Sequence, residues 1–150
     1  MRLTFRDATV DDIPDILALL EDDRLGAARE GADPARYIEA FEAMRREGNN
    51  RLLVGEVEGK GVVATCQLTF ISGLSLRAAR RAQVESVRVA RALRGQGLGR
   101  QLFDEVDRRA REAGCTLIQL TMNESRTDSA KFYTALGFTA SHIGYKRDLM

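Results

Sequence analysis

The chain is short of the residues that most enzymes of small size lean on. It has one histidine, His142. That leaves little room for a multi-histidine metal site or a serine–histidine–aspartate relay. Its two cysteines, Cys66 and Cys115, are too few for a disulfide framework or a zinc cage. We therefore expect no metal, and a reducing cytoplasm as the setting. No apolar run approaches the ~18 residues that a membrane span needs. The opening MRLTFRDATV has no apolar signal core, so no secretion and no membrane partner is expected. There is no linker, repeat or low-complexity tract. Net charge is only +1.

What remains is the composition of one globular domain spanning residues 1–150, with 44% apolar and 30% charged residues. Its charge is unevenly placed. Residues 1–50 carry twelve acids against seven arginines, while residues 77–100 carry seven arginines against one acid, Glu85. A local basic segment in a neutral chain suits a compact polyanion such as a phosphorylated cofactor, rather than a nucleic acid.

Periodicity gives a coarse order of elements. Residues 2–6 alternate as a strand. Ile13, Ile16, Leu17 and Leu20 follow at helical spacing, behind the capping types Thr9 and Asp11. Tyr37, Ile38, Phe41 and Met44 make a second helical stripe. Strands are expected over 52–57 and 62–71, joined by a Glu58-Gly59-Lys60-Gly61 turn. Residues 80–89 alternate, but the phase of the apolar members shifts between Val84 and Val87, the sequence trace of a β-bulge. A helix follows from Leu98, then a buried strand over 115–122, a short helix over 128–136 and two closing strands over 138–149. The pattern predicts an α/β domain, an α+β mixed sheet that is mostly antiparallel with one parallel step, flanked by about four helices.

The sharpest local signal is Arg94-Gly95-Gln96-Gly97-Leu98-Gly99-Arg100. A strand runs into a glycine turn that opens a helix, where unpaired backbone N–H groups and a partial positive charge attract anions. Two rival glycine motifs fail. A dinucleotide fingerprint starting at Gly95 needs glycine at 100, which is arginine, and no segment supplies a P-loop.

This segment resembles the R/Q-x-x-G-x-G/A acyl-CoA-binding motif of the GCN5-related N-acetyltransferases (GNAT). Val84-Glu85-Ser86-Val87-Arg88-Val89 is similar to that family's fourth strand, and Lys131 to Phe138 (KFYTALGF) to its F-Y-x-x-x-G-F signature. The resemblance implies the GNAT acyltransferase fold, with the sheet splayed by its bulge. It implies acetyl-CoA as cosubstrate, bound by Arg94, Gly95, Gln96, Gly97, Leu98, Gly99 and Arg100 at its pyrophosphate. Main-chain groups of Val87 and Val89 would hold the pantetheine arm, with Asn123 as a further contact. Many members carry asparagine seven residues before the signature tyrosine, where this chain has Arg126.

Within that frame Glu85 is the candidate base, directly or through water, and Tyr133 the candidate acid. A strand N–H, that of Val87, is the candidate oxyanion donor. The implied activity is acetyl transfer to a primary amine of a small-molecule acceptor by direct attack. The alternatives are a protein acetyltransferase acting on an N-terminus or lysine, and a non-catalytic acyl-CoA-binding module. Arg77, Arg80 and Arg81 would suit an anionic acceptor. A homodimer is expected from the resemblance.

Overall fold

The computed structural model describes residues 1–22 and 24–150. Strand β1 (Thr4–Asp7) leads through a 3-10 turn (Val10–Asp12) into helices α1 (Ile13–Glu21), α2 (Arg24–Arg29) and α3 (Pro34–Glu47). Strands β2 (Asn50–Val57) and β3 (Gly61–Ile71) follow. A short helical turn, α4 (Ser75–Ala78), precedes β4 (Arg81–Val89). A second 3-10 turn (Arg91–Leu93), α5 (Leu98–Glu112), β5 (Leu117–Leu120) and α6 (Thr127–Ala135) complete the order. Helix α2 lies in the polar stretch between the two apolar helical stripes.

The chain divides into two compact units, Met1–Gln119 and Leu120–Met150. The sheet runs β1-β2-β3-β4-β5. β1 to β4 form an antiparallel meander. β5 runs parallel to β4. Thr116 N donates to Arg80 O at 3.0 Å, and Gln119 Nε2 donates to Gln83 Oε1 at 2.7 Å. Both pairs share one offset in residue number, which only a parallel register gives. This is the mixed sheet that the periodicity predicts.

One face of the meander is apolar: Leu53, Cys66, Leu68, Phe70, Ala82 and Val84 are all buried. Helix α5 packs on β3 and β4. Its stripe of Leu98, Leu102, Phe103, Val106 and Ala110 is buried at the i, i+4, i+5, i+8, i+12 spacing of one helix face. Full burial of each such leucine or phenylalanine stabilises the fold by roughly 1.5–3 kcal/mol.

The N-terminal turn is locked by charge. Asp12 accepts from Arg6 Nη1 and Nη2 at 2.7 and 2.8 Å, and from the Thr9 N–H at 2.7 Å. Thr9 caps the 3-10 turn, and helix α1 starts at Ile13, where the apolar stripe begins. Pro14 sits in its first turn, where its missing N–H has no role.

In the second unit α6 ends at Leu136–Gly137, with Gly137 at φ 94°. The two closing strands expected over 138–149 do not form: residues 138–150 have no regular secondary structure. A strand exists only by bonding to a neighbour. Here Ile143, Tyr145 and Leu149 are 80%, 91% and 86% exposed. The alternation of apolar residues is present, but no ladder and no buried face reward it.

Candidate active site

The glycine turn is built between two apolar anchors. Leu93 and Leu98 are buried with Leu3, Val57, Val63 and Ala64. Arg94, Gly95, Gln96 and Gly97 between them are exposed. Gly95 and Gly97 have φ of 77° and 81°, a left-handed backbone that costs other residues roughly 1–2 kcal/mol each. A Cβ at either would meet nothing within 4 Å, so glycine is needed here for conformation and not for space. Gly99 already lies in α5.

Gly97 is the N-cap of α5 and offers no side chain to cap it. Gln101 N donates to Gly97 O at 3.2 Å. The amides of Leu98, Gly99 and Arg100 precede that bond and lack an i−4 acceptor within the helix. No acid lies in the first turn, where one would normally complement the dipole, and Arg100 adds a positive charge instead. An exposed, uncapped and cationic helix start fits a pyrophosphate.

The bulge lies where the apolar phase shifts. Gln67 pairs with Glu85 and Thr65 with Arg88, so Cys66 of β3 faces two residues of β4, Ser86 and Val87. Ser86 takes up the extra length in a left-handed conformation, φ 55°. The phase shift marked this place in the sequence, but nothing marked Ser86 itself. The β4–β5 offset sets Leu120, the last residue of β5, level with Val84. The residues of β4 past that point, Glu85 to Val89, contain the bulge.

Glu85 and Ser86 are exposed, and Val87 and Val89 are half-buried. Two carbonyls on the strand already accept guanidinium groups. Arg88 Nη1 donates to Val87 O at 2.9 Å, and Arg94 Nε to Val89 O at 3.2 Å. The structure thus brings Glu85, Val87, Val89 and Arg94 to Arg100 onto one strand–turn–helix unit.

Asn123 and Tyr133 belong to the second unit. Asn123 Oδ1 accepts from Ser125 N and Oγ at 3.0 and 2.6 Å, closing a turn ahead of α6. Tyr133 is half-buried on α6, its ring edge-on to Phe132 and Phe138 at 5.3 and 5.8 Å between centroids. The FYxxxGF run is therefore an aromatic cluster around this phenol.

The thiols are sequestered. Cys66 has no exposure, and desolvation pushes it up to about 12, against a weaker pull from Arg109. Burial also raises Cys115. Neither is poised as a nucleophile.

A mixed sheet with a bulged fourth strand that feeds a glycine turn and an uncapped helix defines an acyltransferase class of fold. The model of the acetyltransferase (GNAT) family matches residues 13–138, and the chain belongs to that family. A crystal structure of a transcriptional regulator from Bacillus halodurans C-125 is similar at 40% identity and a TM-score of 0.92, over 99% of this chain and 100% of that one. A provisionally named acetyltransferase from Agrobacterium tumefaciens C58 is similar at 26% identity and a TM-score of 0.84, over 97% and 99%. Aminoalkylphosphonate N-acetyltransferase of Salmonella typhimurium LT2 is 33% identical over 67 residues, which is 45% of this chain and 44% of that relative. The chain thus matches less than half the length of this relative.

Proposed function

We propose that this protein moves an acetyl group from acetyl-CoA to the primary amine of a small-molecule acceptor, by direct attack in a ternary complex. The observation that carries this reading is the acid-free, uncapped start of α5. It is pinned by Leu93 and Leu98 and follows directly on the bulged strand that carries Glu85. The amides of Leu98, Gly99 and Arg100, with the charges of Arg94 and Arg100, suit the pyrophosphate of coenzyme A. The main chain at Val87 and Val89 suits its pantetheine arm, and Asn123 remains a candidate contact.

When bound, acetyl-CoA supplies an activated thioester. An acceptor amine is mostly protonated at neutral pH and has to lose a proton before it attacks. Glu85 takes that proton, directly or through water. The amine nitrogen then bonds the acyl carbon while the carbon–sulfur bond breaks. The Val87 N–H stabilises the oxyanion, and the Tyr133 hydroxyl returns a proton to the departing thiolate. The sequestered thiols of Cys66 and Cys115 favour this direct route over an acyl-cysteine intermediate. They also suit a reducing cytoplasm.

The similarity to aminoalkylphosphonate N-acetyltransferase supports a small acceptor that carries an anionic group. A panel of amines, assayed by thiol release from acetyl-CoA, tests the reading. Turnover on small amines with none on peptides supports it. Turnover on peptides alone transfers the assignment to a protein acceptor, and tight acetyl-CoA binding without turnover leaves a binding module.

The same proposal includes a homodimer, for which the exposed apolar side chains of Ile143, Tyr145 and Leu149 offer a surface. Light scattering at micromolar concentration should give twice 16.6 kDa, and a clean monomer refutes it.

A further inference from the structure

The sheet face that bears Glu85 is buried at Val54, Val63 and Thr65 but carries half-buried polar side chains toward the β5 side, where the opposite face stays apolar. Side chains directly opposite on neighbouring strands share a face. The register therefore aligns Leu52, Gln67 and Glu85 in one row and Asn50, Thr69 and Gln83 in the next. Ile71 and Arg81 form a third row. Gln119 of β5 extends the second row through its bond to Gln83. At the other end Thr69 Oγ1 donates to Asn50 Oδ1 at 2.6 Å. Four uncharged hydrogen-bonding side chains thus cross four strands, all half-buried, one row from the candidate base.

Such a row is costly as packing material. Asn50 is already satisfied, because its Nδ2 donates to Glu47 Oε2 at 2.6 Å, whereas Gln83 and Gln119, joined through one donor and one acceptor, keep further capacity. They suit a ligand that offers hydroxyl or amide groups. Arg81 stands one row further and meets no carboxylate among the described residues. Its neighbours Arg51 and Arg80 differ, because they belong to the apolar face and stack on Phe70 while donating to carbonyls at the ends of α3 and α5.

We infer that this face is the acceptor site, and that it takes a polar amine whose single anionic group is held by Arg81, well away from the reacting nitrogen. The inference rests on the acetyl-transfer reading and names its substrate class. The geometry also sets a length. Four steps along β4 separate Glu85 from Arg81, roughly 13 Å at about 3.3 Å per residue, and a long arginine side chain can reach across part of that gap. An α-amino acid, with its amine and carboxylate on one carbon, is too short to meet both ends. A chain or ring that places several bonds between amine and anion fits. Carboxylate, phosphonate and phosphate share this chemistry.

The test is a series of linear ω-amino carboxylates from glycine to 6-aminohexanoate, with matching ω-aminoalkylphosphonates and neutral amino alcohols, assayed by thiol release. The inference expects kcat/KM to rise with chain length in both anionic series, with the phosphonates deciding which anion is preferred. Arg81→Gln should raise the acceptor KM at least tenfold for the longer anionic amines. It should leave the amino alcohols and the acetyl-CoA KM unchanged, and Arg81→Lys should restore part of the loss. Gln83→Leu should raise acceptor KM without altering that of acetyl-CoA; a melting curve checks that it folds. Turnover that favours glycine, or that ignores Arg81→Gln on every anionic amine, overturns the inference and leaves acetyl transfer standing. Failure of every amine, with acetyl-CoA bound, overturns both.

Discussion

Arg94 donates from Nε to the carbonyl of Val89, tying the first residue of the glycine turn back to the last residue of the bulged strand at 3.2 Å. One exposed guanidinium thus sits between the two places where coenzyme A is expected, the strand edge and the helix start. Arg94→Ala should weaken acetyl-CoA binding in calorimetry by about tenfold, in line with about 1.5 kcal/mol for a charged hydrogen bond. The loss should shrink at high salt, because much of the attraction is charge. An equal loss at low and high salt would mean that Arg94 only shapes the turn.

Gly97 separates conformation from charge. Gly97→Asn keeps a residue that tolerates the left-handed backbone and should bind acetyl-CoA within a few-fold of the parent protein. Gly97→Glu brings a carboxylate to the same place and should abolish binding. Circular dichroism should find both variants folded, since the site is exposed and a Cβ there meets nothing.

Glu85 and Tyr133 should fail differently. Glu85→Gln should lower the rate by ~10²–10⁴-fold, the usual span for a general base, and recover partly at high pH where more acceptor is already neutral. Tyr133→Phe keeps the ring against Phe132 and Phe138 and removes only the hydroxyl. Its loss should appear in kcat with acetyl-CoA affinity unchanged. A fall in affinity with kcat intact would make the hydroxyl a binding contact.

Acid stability should track Asp12. The Arg6 guanidinium, bonded through two nitrogens, and the Thr9 N–H hold its carboxyl down to about 2, despite the opposing cost of burial. A carboxylate lowered on folding stabilises above its unfolded value near 4, and that contribution is lost as pH falls through 2. Arg6 is 42% exposed, which limits the worth of the pair. Asp12→Asn should cost about 1–2 kcal/mol in urea melts at pH 7. The gap to the parent protein should narrow steadily between pH 4 and pH 2.

Thiol chemistry offers a separate check on direct attack. Cys66→Ala should retain kcat within twofold, and a thiol reagent at pH 8 should label Cys66 only after unfolding. A trapped acetyl-thioester on Cys66 or Cys115 would replace direct attack with a two-step route.

Local signals carried the site's scaffold. The apolar stripe from Leu98 to Ala110 predicts α5, and the phase slip between Val84 and Val87 predicts the bulge, because both depend on residues a turn or a few positions apart. The glycines at 95 and 97 predict the turn for the same reason. Non-local pairing was not legible. The alternation of Ile143, Tyr145 and Leu149 reads as a strand, yet a strand needs an edge to bond, and that need is invisible in its own residues. The row of Asn50, Thr69, Gln83 and Gln119 exists only because register brings four distant segments abreast. So does the salt link of Arg109 to Asp7, at 2.6 Å. Residue types and short spacings determined the strand, turn and helix start at which the proposal seats coenzyme A. Strand pairing across the sheet decided which side chains stand beside it, since hydrogen-bond register is settled between segments and not within them.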